Sequence, residues 1–276
     1  MALSNYDGYI AALNQNAAYD FEMNAVAPAA AGRFHIVSAL FTPAPTIPTT
    51  SVSLDKTSGY AINQYAPDTS TGRMSILGAQ ISVSATPPGG YVAMIVDILN
   101  MSGGMSGIVT GTQTTNIPTA SLTRYTDGEG VHAAIIVHAT VGTTSTTVTA
   151  TYTNQSAVGS RVTSSVQIGG TAFREAGTLF RLPLQAGDTG IRSVESINIV
   201  GTTGTAGNIG IVLYKPLALV FMNDLETNQT TECVSTGRMV GQFNETLNNA
   251  CLSVFGMNSS GVSNASMNGC VFLAEV

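Results

Sequence analysis

From Arg73 onward, apolar or small stretches alternate with Thr-, Gly- and Asn-rich breaks, the pattern of many strands joined by turns. Met74 to Val83 predicts a strand ended by Pro87-Pro88-Gly89-Gly90. Tyr91 to Leu99 and Val131 to Val141 are almost continuously apolar, as strands buried on both faces are. Thr146, Val148, Ala150 and Tyr152 share one face of the next strand, with Thr residues opposite. Val162, Ser164, Val166 and Ile168 predict the same arrangement after a turn from Asn154 to Ser160. Leu179 to Leu184, Val194 to Val200 and Ile209 to Leu213 continue the series, separated by the turns Gln185 to Gly190 and Gly201 to Gly207. Asn249 to Met257 and Cys270 to Glu275 read as a final strand pair around the Ser/Asn-rich loop Asn258 to Asn268. Met222 to Gln242 has no clear period and reads as a loop or short helix.

The first 72 residues differ. Ser4 is placed to cap a helix, with Asp7 reaching back three residues later. Tyr6, Tyr9, Ile10 and Leu13 then recur at steps of three and four, marking one face of that helix. A helix of about ten residues is marginal alone, so this face must dock, either on its own domain or on a partner. Pro28 to Thr50 is proline-rich and extended, with Phe34, Ile36, Val37 and Leu40 candidates for one strand. The division that follows is an N-terminal helix and arm over 1–72 and a β domain over 73–276, with a single domain as the alternative. The β domain is expected to be an antiparallel β-sandwich of jelly-roll type; strands with turns every 8–12 residues suit a sandwich or barrel. No repeat of fixed period points to a solenoid or propeller.

Composition changes this picture in one respect. Charged residues make up 9% of the chain, against about 25% in ordinary soluble domains, so Thr, Ser, Asn, Gln and Gly must supply the polar surface. Such a surface loses few hydrated charges when a partner covers it, which favours a protein packed among neighbours. A net charge of −6 with scattered basic residues disfavours a nucleic-acid partner. No apolar run approaches the roughly 20 residues of a spanning helix, so no membrane partner is expected. The start, MALSNYDGYIAALNQ, lacks the basic flank and apolar core of a signal peptide, and folding in a reducing cytosol is the expectation. Cys233, Cys251 and Cys270, odd in number and widely spaced, read as buried thiols, with neither metal nor disulfide framework.

Candidate chemistry is sparse. Asp188-Thr189-Gly190 matches the aspartic-protease triplet, but one copy cannot supply the two carboxylates that share a proton, so a turn is the better reading. His132 and His138 lie six residues apart on one strand face, roughly 20 Å at strand rise, too far for one metal or one catalytic site; His35 stands alone. Gly201 to Gly207 lacks the Walker lysine and a following helix. The Asn-x-Ser/Thr triplets at Asn100, Asn154, Asn228, Asn244, Asn258 and Asn264 are explained by composition. No catalytic residue, cofactor or small-molecule substrate is nominated.

Several stretches resemble a family of virion structural proteins of tailed bacteriophages. They are LSNYDGYIAALNQ near the start, Thr114 to Ile135, Val148 to Arg161, Leu182 to Ile199, Gly204 to Ala218 and Asn249 to Met257. The resemblance covers the first fifteen residues and most of the chain beyond residue 90, and is weakest from Arg33 to Asp68. It implies a jelly-roll-like β-sandwich that decorates or cements a capsid, with the major capsid protein as partner and a homotrimer or other homo-oligomer as its form, located on the virion surface. It supplies no functional residue. The helix face of Tyr6, Tyr9, Ile10 and Leu13 is the candidate partner contact. A tail, baseplate or fibre component that contacts the host surface, where exposed aromatics in a groove would bind sugars, is the alternative, which the absence of Trp and the thin spread of Tyr and Phe disfavour. An enzyme remains a third class, requiring a histidine beside a serine and a carboxylate in space.

Overall fold

The computed structural model describes residues 17–23, 33–36, 45–62, 73–86, 91–114, 118–222, 229–233, 244–258 and 264–275. Among them there is no helix, and every strand pairing is antiparallel. The helix face of Tyr6, Tyr9, Ile10 and Leu13 lies outside the described residues.

Six strands close into a barrel. β2 (Phe34–Ile36), β5 (Tyr91–Met101), β7 (His132–Ala139), β11 (Thr178–Arg181), β13 (Asn208–Met222) and β16 (Leu252–Asn258) pair in the ring order β13-β7-β11-β2-β16-β5, and β5 pairs back to β13. Closure satisfies the backbone groups that an open edge would leave unpaired. Beyond the first residue of β16, which pairs with Asp97, the short β3 (Val52–Ser53) takes over the edge of β5 at Asn100 and Met101. β2 and β3 thus place part of the first 72 residues in the same seven-stranded sheet.

Alternation along each strand divides the core in two. Ala134 and Ile136 of β7, Val212 and Tyr214 of β13, Val96 and Ile98 of β5, Leu179, Ile36 and Phe255 form one buried cluster drawing on every strand of the ring. Only the lumen can bring those side chains together. Tyr214 meets Phe255 edge to face there, with ring centroids 4.9 Å apart. The opposite set, Ala133, Ile135 and Val137 with Ile209, Ile211 and Leu213, faces outward into a second cluster. That cluster is completed by Val148, Ala150 and Tyr152 of β8 (Thr146–Asn154) and Val194, Ile197 and Ile199 of β12 (Ile191–Ile199). β8 and β12 belong to a second sheet ordered β10-β8-β12-β6, with β6 (Gly111–Gln113) and β10 (Val166–Ile168) at its edges and β9 (Arg161–Val162) also on β8. One wall of the barrel and this sheet therefore form the two layers of a sandwich.

A third sheet joins β1 (Ala17–Met23), β4 (Arg73–Thr86), β14 (Gln229–Cys233), β15 (Asn244–Leu247) and β17 (Asn264–Glu275). Its buried side chains include Met74, Ile76, Ala79, Val271 and Leu273.

Four sequence expectations need correction. β16 and β17 are not a pair: β16 lies in the barrel on β2 and β5, and β17 lies on β1 and β4. Proximity in sequence suggested a hairpin, but each found its edge far away. β13 extends well past Leu213, through Pro216, where a register shift between Pro216 and Ala218 accommodates the missing N–H. The stretch Val162 to Ile168 is broken: Val162 is exposed, and Thr163 is buried with its hydroxyl accepting from Ala150 N at 3.0 Å. Finally, the unassigned Met222 to Gln242 contains β14.

One charge pair is buried in this apolar frame. Asp97 takes the opposite parity from Val96 and Ile98, and both it and Arg124 are fully buried (side chains 0% and 2% exposed). Arg124 donates to both carboxylate oxygens, Nη2 to Oδ1 at 2.7 Å and Nε to Oδ2 at 2.9 Å, and Nη2 also donates to the Ile98 carbonyl at 3.0 Å. Cys251 N donates to Oδ1 at 2.9 Å, tying β5 to the start of β16. Burial pushes the Asp97 carboxyl up, and the guanidinium opposes that shift. The next residue, Tyr125, holds φ at 49°, a conformation that costs a bulky residue of order 1–3 kcal/mol. The anchored guanidinium and Lys215, whose ammonium lies 5.3 Å from the Tyr125 ring, hold it there.

Removing one member of such a pair leaves an uncompensated buried charge, which costs about 3–5 kcal/mol. Arg124→Ala should lower urea-unfolding stability by that amount, and the double replacement Asp97→Leu with Arg124→Met should recover most of it. A loss below about 1 kcal/mol for the single change, the scale of an exposed pair, would show that the pair does not hold the segment down.

Candidate interaction surface

The same alternation that buries one face of the second sheet turns the other outward. On β8 the outward positions are Thr147, Thr149, Thr151 and Thr153. Their cross-strand neighbours extend the face: Thr149 lies opposite Asn198, Thr151 opposite Ser196 and Val162, Thr153 opposite Ser193, and Thr147 opposite Gln167. Asn198 continues it to Thr112 of β6, with Nδ2 3.4 Å from the hydroxyl. Among these residues the one carboxylate is Glu195, at a bulge between Val194 and Ser196. Its Oε1 accepts from the hydroxyls of Thr153 at 2.5 Å and Ser193 at 3.2 Å. The result is a hydroxyl- and amide-covered face with little charge to desolvate.

Large apolar side chains are exposed at both ends of this sheet. Ile108, Val109 and Val200 (47%, 46% and 72% exposed) stand near the Gly111–Ile199 pairing, and Val158 and Val162 stand at the β8–β9 turn. The loop Gly201 to Gly207 beside Val200, expected to be a flexible turn, is pinned by buried Thr203. Its N–H donates to Gly107 O at 2.9 Å, its carbonyl accepts from Thr144 N at 3.0 Å, and its hydroxyl donates to Thr205 O at 2.8 Å.

The residues singled out for chemistry each make contacts within the fold at the described positions. Asp188 sits in a turn where Arg161 donates to both its oxygens (2.9 and 3.1 Å), Tyr152 Oη to one (2.5 Å) and Asn154 Nδ2 to the other (2.7 Å). The Arg161 contact, with help from Tyr152 and Asn154, holds its carboxyl down at about 2. A Cβ on Gly190 would collide with the Gly128 carbonyl oxygen, so the triplet's glycine answers to backbone approach. His132 and His138 share the lumen-side parity of β7, as expected, but have different partners. His138 Nε2 lies 2.9 Å from Ser102 O, and the His132 ring packs tilted against Tyr214, centroids 5.9 Å apart, with Nδ1 3.2 Å from Arg181 Nη2. His35 is buried in β2. Cys251 is a buried free thiol and Cys270 is half-buried. Asn154 and Asn100 are buried, and the Asn154 amide is committed to Asp188 and to the N–H groups of Ser156 and Val158. Among the described residues no cluster of metal-ligating side chains occurs. Neither the Asp97–Arg124 nor the Asp188–Arg161 pair has a local spacing that would reveal it from sequence.

No protein-family model and no curated protein sequence matches the chain. Solved structures aligned to it include the VP2 subviral particle of infectious bursal disease virus. That match has 8% identity, covers 95% of this chain and 80% of that one, and has a TM-score of 0.20. The T=1 particles derived from the same virus align with 8% identity, 95% and 77% coverage, and a TM-score of 0.20. At that score the chains do not superpose as one fold, and the likeness carries no weight for function.

All three histidines are held neutral. Desolvation pushes His35 and His132 down to about 4 and lowers His138 as well. A depressed histidine contributes stability that is present above its ordinary 6.5 and lost as pH falls toward 4, up to about 3 kcal/mol for fully buried His35. Asp188 acts only lower, below its ordinary carboxylate range and toward about 2, and raised Asp97 runs the opposite way. The melting temperature should therefore hold between pH 8 and 7 and fall through the histidine window. A melting temperature unchanged down to pH 4 would contradict neutral burial of these rings.

Proposed function

We propose that the chain is a non-catalytic structural subunit of a virus particle, one that decorates or cements a capsid by protein–protein contact. The observation that carries this reading is the outward face of the second sheet, where Thr, Ser, Asn and Gln stand in rows around a single carboxylate. Covering such a face displaces water from hydroxyls and amides and leaves few charges to desolvate, so many modest contacts can add up without a large penalty. Exposed Ile108, Val109, Val200, Val158 and Val162 flank it and give a partner apolar ground at both ends. The resemblance of Thr114 to Ile135, Val148 to Arg161 and Leu182 to Ile199 to virion structural proteins of tailed phages supports the same reading. Those last two stretches include most of β8 and all of β12. The major capsid protein is the partner this implies, with repetition over a symmetric shell multiplying weak contacts. Jelly-roll order and a trimeric form belong to the same proposal. A tail, baseplate or fibre component that contacts the host surface is the second reading.

Charge placed on the face tests this. Thr149→Lys with Ser196→Lys leaves the inward core untouched and should change stability by no more than about 0.5 kcal/mol. The same pair should abolish co-sedimentation with undecorated shells; occupancy equal to wild type would reject the face as the contact. Immunogold labelling of intact particles separates the two positions, since gold confined to tails would replace the capsid reading with the second one. Deleting residues 1–15 tests the separate contact assigned to Tyr6, Tyr9, Ile10 and Leu13, where unchanged occupancy would remove it.

A further inference from the structure

An open groove of about 720 Å³ is lined by His132, Arg181, Pro183, Leu184, Asp188 and Thr189, and none of the outward residues of the second sheet contributes to it. Its one acidic member is already engaged. Both oxygens of Asp188 are taken by Arg161, Tyr152 and Asn154. The nearby Glu129 accepts from the Thr189 hydroxyl at 2.6 Å.

Its cation is not matched in this way. Arg181 is exposed, and among the described residues its recorded partner is His132 Nδ1 at 3.2 Å, with no carboxylate in contact. A guanidinium only donates, so Nδ1 must be the acceptor and the ring's proton sits on Nε2. This contact engages Nη2, and the other N–H donors belong to a side chain that lines the groove. Lys215 adds positive potential at His132, its ammonium tethered to Glu129 O at 2.5 Å. Pro183 is exposed and Leu184 half-buried, which gives the groove an apolar wall next to the cation.

We propose that this groove binds a carboxylate carried next to an apolar group, as at the C-terminus of a peptide. Arg181 takes the carboxylate through its remaining N–H donors, and Pro183 and Leu184 pack the apolar part. A planar fork oriented by a histidine suits a carboxylate better than a point-charge cation would.

The probe is N-acetyl-leucinate, titrated at pH 7 and constant ionic strength into the full chain, with the His132 ring and Arg181 Nε–H signals followed by NMR. Glucuronate, inorganic phosphate and chloride run in parallel. The expected result is a saturable shift with N-acetyl-leucinate at lower concentration than with any other anion. Arg181→Gln should weaken it by roughly tenfold or more, the scale of a charge-assisted hydrogen bond, and Arg181→Lys should weaken it less. A non-saturating drift common to all the anions would overturn the proposal, as would an undiminished response in Arg181→Gln. Tighter binding of glucuronate would assign the groove to a sugar acid, and tighter binding of phosphate to a phosphate; either outcome overturns the apolar half of the claim. The variants' melting temperatures check their folding, and Arg181→Lys keeps the test decisive if the Gln variant unfolds.

Discussion

Everything described above depends on β7 and β13 being buried on both faces. Their even-numbered residues from Ala134 to Ile136 and from Val212 to Tyr214 fill the lumen, and their odd-numbered residues fill the sandwich. A strand in that position has no solvent side on which to place a polar residue, so register is fixed at every step and a slip of one residue would exchange two full cores. The closed ring supplies the scaffold, and the second sheet is held at its wall by the outward half of the same strands. The outward Thr face owes its position to that packing.

Several buried polar groups sit where this frame is joined to something irregular. Asp97 and Arg124 fasten an otherwise aperiodic segment onto the barrel through four hydrogen bonds, one of them from the backbone at the mouth of β16. Asp188 does the same for the turn beside β8, gathering Tyr152, Asn154 and Arg161. Ser102 joins the ring at the exit of β5 by exchanging bonds with Ile211, and its carbonyl meets His138. Each of these groups is matched to the backbone it organises, and of the two ion pairs Asp97–Arg124 is fully buried while Arg161 of the other is 29% exposed.

Much of this was legible in the chain. Tyr91 to Leu99 and Val131 to Val141 announced strands buried on both faces, and Thr146 to Tyr152 announced a two-faced one, because hydrophobic period reports burial directly. What the period does not report is partnership. Ring closure joins β13 to β5 across more than a hundred residues, and the separation of β16 from β17 reverses what adjacency suggests. Asp97 was hidden inside an apolar run, and its counter-charge lies 27 residues away. Thr163 took a core position that a strict alternation would have assigned to its neighbours, because its hydroxyl closes a bond to β8. The candidate surface was half visible: alternation placed the threonines together on β8, but their continuation through Ser196, Asn198 and Thr112 required the register.

The central claim is that this outward face is covered in the working assembly while the barrel stays as it is. It is tested most directly by placing a single reporter thiol at Thr149 and comparing its rate of maleimide labelling in the free subunit and in the assembled particle. Labelling should be ready in the free subunit and blocked in the particle. Equal rates in the two states would contradict it.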